Sequence, residues 1–138
     1  MARGVGDATM KTKMPLVRTP YPQDRRARKI SGDLPDGPYV YVMDVNGDIY
    51  VLPDGPHLHP KVLGQGRPAL YAGDMTLHQG RVKDLTNLSG SFQFDDPQGL
   101  LVVARKLEEA GFPVNANAVR YFPKDGSRPE TLPPTLAI

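Results

Sequence analysis

The rhythm of apolar and polar positions changes several times along the chain, and the changes mark its elements. Residues 1–37 have no sustained period and are broken by Pro15, Pro20, Pro22, Gly32, Pro35 and Gly37. They read as an extended arm with one helical turn near Gln23–Lys29. From Tyr39 to Met43 the run Tyr-Val-Tyr-Val-Met is rich in β-formers, Asn46-Gly47 is a hairpin signal, and Asp48 to Leu52 is the return strand, closed by Pro53-Asp54-Gly55-Pro56. His57 to Arg67 has no strong period and reads as a loop. Ala69 to Leu77 reads as a third strand with a break at Gly73. Gln79-Gly80 turns it back into Arg81–Leu85, and Ser91-Phe92-Gln93-Phe94 alternates again. These signals predict an antiparallel meander.

One helix is clear. Asp96 suits its cap, Pro97 its first turn and Gly111 the left-handed position after its end, and Pro113 blocks continuation. Leu100, Val103, Ala104 and Leu107 recur at helical spacing and predict a buried face; Arg105, Lys106, Glu108 and Glu109 form the wet one. Ala118 to Phe122 is a last strand, followed by a turn at Lys124–Ser127. The expected architecture is α+β: a mainly antiparallel sheet of five or six strands, one covering helix at about 97–110 and an extended N-terminal arm. The expected division is 1–37 as a basic arm, 38–132 as a single domain and 133–138 as a loose tail.

Composition narrows this. A chain of 138 residues is one domain by size. Its 14 Gly and 15 Pro are abundant for a globular domain and imply short elements joined by many turns. With no Cys there is neither a disulfide framework nor a thiolate metal site. No apolar run approaches a membrane span, and the N-terminus lacks the apolar core of a signal peptide, so the chain as given reads as soluble, either whole or as a fragment of a longer exported protein. The net charge of +2 is unevenly spread. Residues 1–29 carry eight basic side chains against two acidic ones, a net of +6; residues 30–138 carry nine against thirteen, a net of −4. Such an arm either contacts an anionic partner, with Arg25 and Arg26 in its densest part, or is solvated, or docks on its own acidic body.

The densest cluster of turn-formers and chemistry-bearing groups lies between Pro53 and Phe92. His57 and His59 stand two apart. On a strand they would share a face and could hold a metal with Asp54 or Asp74 as third ligand. They also suit acid–base work near neutral pH, or a purely structural bond at a turn. Metal is not the reading adopted. Gly64-Gln65-Gly66 lacks the lysine and hydroxyl of a phosphate loop, and no Gly-x-Ser-x-Gly elbow supports a serine hydrolase.

The order of His59, Gly64, Ala72-Gly73-Asp74, Gly80 and Ser89-Gly90-Ser91-Phe92 resembles a module of bacterial secreted and polymorphic toxin-type proteins. It is also similar to the region outside the calmodulin-binding segment of plant IQ-motif proteins. The resemblance covers about residues 38–122. The chain departs from the pattern where Ser91-Phe92 replaces His-Tyr, which removes a titratable group and a hydroxyl. The resemblance implies a bacterial effector or toxin-type context, with secretion or delivery into a target cell, and cytoplasmic residence otherwise.

Three functions fit these residues. Metal-independent RNA cleavage would use His57, His59, Asp74, Ser89 and Ser91 as the catalytic set, with Lys61, Arg67, Arg25 and Arg26 holding phosphate; it needs no cofactor. NAD-dependent ADP-ribosyl transfer would use the Ser89-Gly90-Ser91 segment and Glu130, with NAD as cosubstrate. A non-catalytic protein-interaction module needs no reaction. RNA or another anionic partner and a cognate inhibitor protein are the expected partners, and no membrane is. For an enzyme, His59, Asp74 and Ser89 should line one concavity with His57 near its rim.

Overall fold

A computed structural model of the chain describes residues 22–53, 59–64, 67–89, 96–123 and 125–132. Along these residues lie β1 (Arg28–Lys29), β2 (Gly37–Met43), β3 (Ile49–Pro53), α1 (His59–Leu63), β4 (Tyr71–His78), β5 (Arg81–Thr86), α2 (Pro97–Glu109), β6 (Val119–Tyr121) and β7 (Glu130–Leu132). The strands form one sheet in the order β1-β3-β2-β4-β5-β6-β7. All neighbours are antiparallel except β5 and β6, which are parallel. The fold is α+β.

The sheet has seven strands rather than five or six. The additional edge strands, β1 and β7, are short and mostly exposed. They carry no apolar alternation, because they are held by main-chain pairing to an existing edge. The arm therefore contributes to the sheet: near Gln23–Lys29 it makes a turn closed by Ala27 N–H to Asp24 O (3.0 Å) and then strand β1, not a helical turn.

The topology departs from a meander at two points. β4 pairs with β2, not with β3, so the connection after β3 crosses β2 and brings α1 onto β2 and β3. That connection, expected as a loop, is helical over His59–Leu63. The second departure follows from α2, whose crossover lets β6 run parallel to β5.

Two turns show the local chemistry. Between β2 and β3 the hairpin loop has three residues, Val45-Asn46-Gly47, not two. Gly47 N–H bonds Asp44 O (3.0 Å), Asp44 N–H bonds Asp48 O (2.8 Å), and in this turn only Gly47 has positive φ. The Asp44 carboxylate accepts from Asn46 and Asp48 N–H and holds the loop. Between β4 and β5, Gln79 (φ 53) and Gly80 (φ 73) make a two-residue turn, and the Asp36 carboxylate accepts both of their N–H groups at 2.6 and 3.2 Å.

α2 is built as its sequence predicts. Asp96 caps it by accepting Gln98 N–H (3.0 Å), and Pro97 opens it. Gly111 (φ 98) ends it, with Phe112 N–H on Leu107 O and Gly111 N–H on Glu108 O, the double bond pattern of a left-handed helix stop. Its buried side is wider than one stripe: Leu101 and Val102 join Leu100, Val103, Ala104 and Leu107.

Alternation and register assign the sheet's faces. Tyr39, Tyr41 and Met43 share a face with Tyr71, Gly73, Met75, Leu85, Val119 and Tyr121. α2 covers this face, and the Tyr71 hydroxyl donates to Asp96 O at its start (2.8 Å). On the other face Val40, Val42, Leu52 and Ala72 are buried beside α1. Asp74, Thr76, Asp84, Arg120 and Thr131 continue that face with polar groups.

Candidate functional site

The boundary between the apolar and polar halves of the α1 face is where the candidate residues meet. His59 opens α1, and the burial of Val62 and Leu63 seats that helix on the sheet. The imidazole is thereby pressed onto β4, with its side chain only 11 % exposed. His59 Nε2 lies 2.9 Å from Gly73 O and 3.6 Å from Asp74 Oδ1. A main-chain carbonyl can only accept, so Nε2 carries the proton of that bond. His59 is thus a donor at Nε2, aimed between a carbonyl and a carboxylate. Asp74, with 39 % of its side chain exposed, is the member of the pair that solvent can reach.

Gly73 is not a break in the strand. It is the point where β4 approaches the end of β5 so closely that a Cβ would lie 1.9 Å from Thr86 O and 2.9 Å from the Tyr41 hydroxyl oxygen. Tyr41, fully buried on the α2 face, donates its hydroxyl to Thr86 O at 2.7 Å. Burial, with Tyr71 and Asp74 adding to it, pushes its phenol well above the ordinary 10.0, so it remains a donor. On the other face Thr86 Oγ1 accepts from Leu88 N–H (3.1 Å) and, more distantly, from Asp74 N–H (3.4 Å). Thr86 therefore ties the Asp74 segment to the chain that leads into Ser89, which is half-buried. Asn87 closes the same end, exchanging two bonds with the Phe122 main chain (2.7 and 2.9 Å).

The structure thus brings His59 and Asp74 into contact, and Ser89 follows three residues after Thr86, whose hydroxyl accepts from Asp74 N–H. His57 and Ser91 lie outside the described residues, as does the side chain of Lys61. Arg67 is exposed beyond the far end of α1 from His59 and is not part of this cluster. Its Nη1 makes a long bond to Leu63 O (3.4 Å).

Three of the four basic residues in the described part of the arm pair with carboxylates. Arg26 forms a two-pronged pair with Asp24 (both 3.1 Å), Arg28 pairs with Asp33 (2.8 Å) and Lys29 with Asp48 (3.4 Å). Arg25 is exposed, with no acidic partner among the described residues. The arm from Pro22 onward docks on the body. Gln23 donates to Val62 O (2.9 Å), and Gly64 leaves room for the Gln23 main chain, which a Cβ would meet at 2.4 Å. Of its ion pairs among the described residues, only Lys29–Asp48 reaches the body beyond residue 37.

Sequence reasoning missed Thr86 and the bond by which Tyr41 holds it behind the candidate pair, and the Asp84–Arg120 pair (2.7 and 2.9 Å) on the same face as Asp74, where Arg120 also lies over the Phe122 ring at 5.3 Å. The alternating tyrosines were the available signal for Tyr41. The Asp84–Arg120 pair spans 36 residues and has no local signature.

Among the described residues no group of three or more His, Asp or Glu side chains is placed to hold a metal ion, and no helix is long and apolar enough to cross a membrane. Comparison of the chain with protein-family models, with curated proteins and with solved structures finds no match.

Proposed function

We propose that this chain is an effector-type domain that cleaves RNA without a metal, with Asp74 as the proton acceptor and His59 as the group that positions it. The observation that carries the reading is the His59–Asp74 arrangement: a nearly buried imidazole donor 3.6 Å from a carboxylate that remains 39 % exposed. A half-exposed carboxylate backed by a fixed donor is held in one orientation without being sealed from a substrate. In the proposed step Asp74 takes the proton of a ribose 2′-hydroxyl. The 2′ oxygen bonds to phosphorus, the P–O5′ bond breaks, and the 5′ oxygen leaves with a proton from solvent. The product is a 2′,3′-cyclic phosphate. The neighbourhood of Ser89 supplies polar contacts, and a cognate inhibitor protein would cover the Asp74 face.

The test is incubation of the purified chain with RNA in chelator, with analysis of the termini. Asp74→Asn is expected to lower the rate by about 100-fold, the scale of a lost general base, with an unchanged unfolding midpoint. His59→Gln, which keeps a donor, is expected to retain more activity than His59→Ala. Cleavage undiminished in Asp74→Asn, or no cleavage by the unaltered chain, removes the proposal.

One observation favours ADP-ribosyl transfer as the second reading. Glu130 stands on β7 opposite Tyr121, at the sheet end where β5 runs out towards Ser89. Two strand spacings of about 4.8 Å separate the strands concerned. NAD consumption that is lost in Glu130→Gln and kept in Asp74→Asn would establish that reading in place of the first.

A further inference from the structure

A cavity of about 380 Å³ opens at the end of α1 away from His59, between that helix, the β2–β3 hairpin loop and the docked arm. Its apolar wall is Tyr50, Leu63, Pro68 and Val45; its polar groups include Arg67, Gln23, Asn46 and Asp44. We infer that it is a binding site for a small aromatic anion of nucleoside monophosphate size, with the anionic group on Arg67 and the ring against Tyr50.

Four features support this. The volume is within the range of small-molecule sites, and the lining divides about equally between an apolar wall and polar groups, as a ligand with a ring and an anionic group requires. Arg67 has no carboxylate partner among the described residues, and its hydrogen bond to the Leu63 main-chain carbonyl is a long one (3.4 Å). It is a cation beside a cavity with no ion-pair partner among the described residues, and its planar fork matches phosphate or carboxylate. The carboxylate in the lining is held by its own hairpin loop rather than by Arg67, since Asp44 Oδ1 accepts two N–H groups of that loop. Finally, Val45, at the loop tip, is one of two large apolar side chains among the described residues that remain exposed, at 49 %. A ring seated in the cavity would remove it from water.

The cavity is also pre-built. Gln23 clamps Val62 O, and the Gln23 main chain sits on Gly64, so one wall is the arm itself. Recognition therefore needs little ordering of the protein, which favours binding. The site is separate from Asp74, and the inference does not rest on RNA cleavage.

Calorimetric titration of the full chain tests it, with 5′-adenosine monophosphate and indole-3-acetate as the two aromatic anions and with adenosine and inorganic phosphate as their neutral and non-aromatic counterparts. At least one aromatic anion is expected to bind, about tenfold or more tighter than adenosine or phosphate, the scale of one charge-assisted contact. The tighter of the two identifies the anionic group. Arg67→Gln is expected to weaken binding by about the same factor, and Tyr50→Leu also to weaken it. Asp74→Asn should leave it unchanged. Both cavity variants are read only alongside an unaltered unfolding midpoint, which exposed Arg67 should preserve; if Tyr50→Leu fails to fold, Arg67→Gln and Arg67→Lys decide. The inference is overturned if neither anion binds at millimolar concentration or if binding is the same in Arg67→Gln.

Discussion

The two faces of the sheet solve opposite problems. The α2 face is closed: Tyr41, Met43, Tyr71, Met75, Leu85, Leu100 and Leu107 have at most 1 % exposure, and the tyrosine hydroxyls it buries are paid out to main-chain carbonyls. The α1 face is closed only over Val40, Val42, Leu52 and Ala72, and beyond Ala72 it turns polar. A helix of thirteen residues with both ends capped covers the first; one of five residues, fastened by the arm, covers part of the second. The difference teaches where chemistry can sit. The thoroughly packed face supplies rigidity, and through Gly73 and Tyr41 it holds from behind the strand that presents Asp74 on the other side.

The comparison breaks most severely if the closed face is made polar. Leu100→Asp places an unpaired carboxylate at a fully buried position of α2 and is expected to cost about 4 kcal/mol or more. Chemical denaturation checks it, and an unchanged midpoint would mean that the α2 face is not the core. Gly73→Ala tests the connection between the faces. The methyl would collide with the Thr86 main chain rather than with a flexible side chain, so the loss is expected to be about 3 kcal/mol. The same variant should disturb the His59 bond to Gly73 O. A Gly73→Ala protein of full stability would show that β4 and β5 can separate there at little cost.

The smallest effect concerns the rim. The Asp36 carboxylate accepts Gln79 and Gly80 N–H, in that order of importance, and this holds its pKa below the ordinary 3.8. A depressed pKa means a contribution to stability that is present above 3.8 and lost as pH falls through the folded value. The group is exposed, so the effect is slight. The melting temperatures of the natural chain and Asp36→Ala should differ at pH 6 and converge below pH 3.8. A gap independent of pH would place the role of Asp36 outside its charge.

Elements with their own local signals were legible. The start and stop of α2, the Gln79-Gly80 turn and the β2–β3 hairpin all rest on caps, positive-φ residues and alternation within a few positions of one another. The candidate pair was legible too, because His59 and Asp74 lie in one turn-rich block. The roles of its members were not. Which histidine nitrogen donates, and to what, depends on where α1 lands, and α1 has five residues and no period to announce it. Arg67 was grouped with His59 because the two are close in sequence, yet α1 separates them at its opposite ends.

By itself, then, the sequence determined the α+β class, the bounds of α2, most strands and the segment that carries the candidate pair. These depend on interactions between residues a few positions apart. Only the tertiary structure decided the strand order, the parallel β5–β6 pair, the docking of the arm, the Asp84–Arg120 pair and the cavity beside Arg67. Each joins segments distant in the chain, with β1 and β7 held by main-chain bonds that leave almost no trace in side-chain identity. Gly73 shows the limit most clearly: its sequence reads as a strand break, whereas its absent side chain is what lets β4 lie against Thr86.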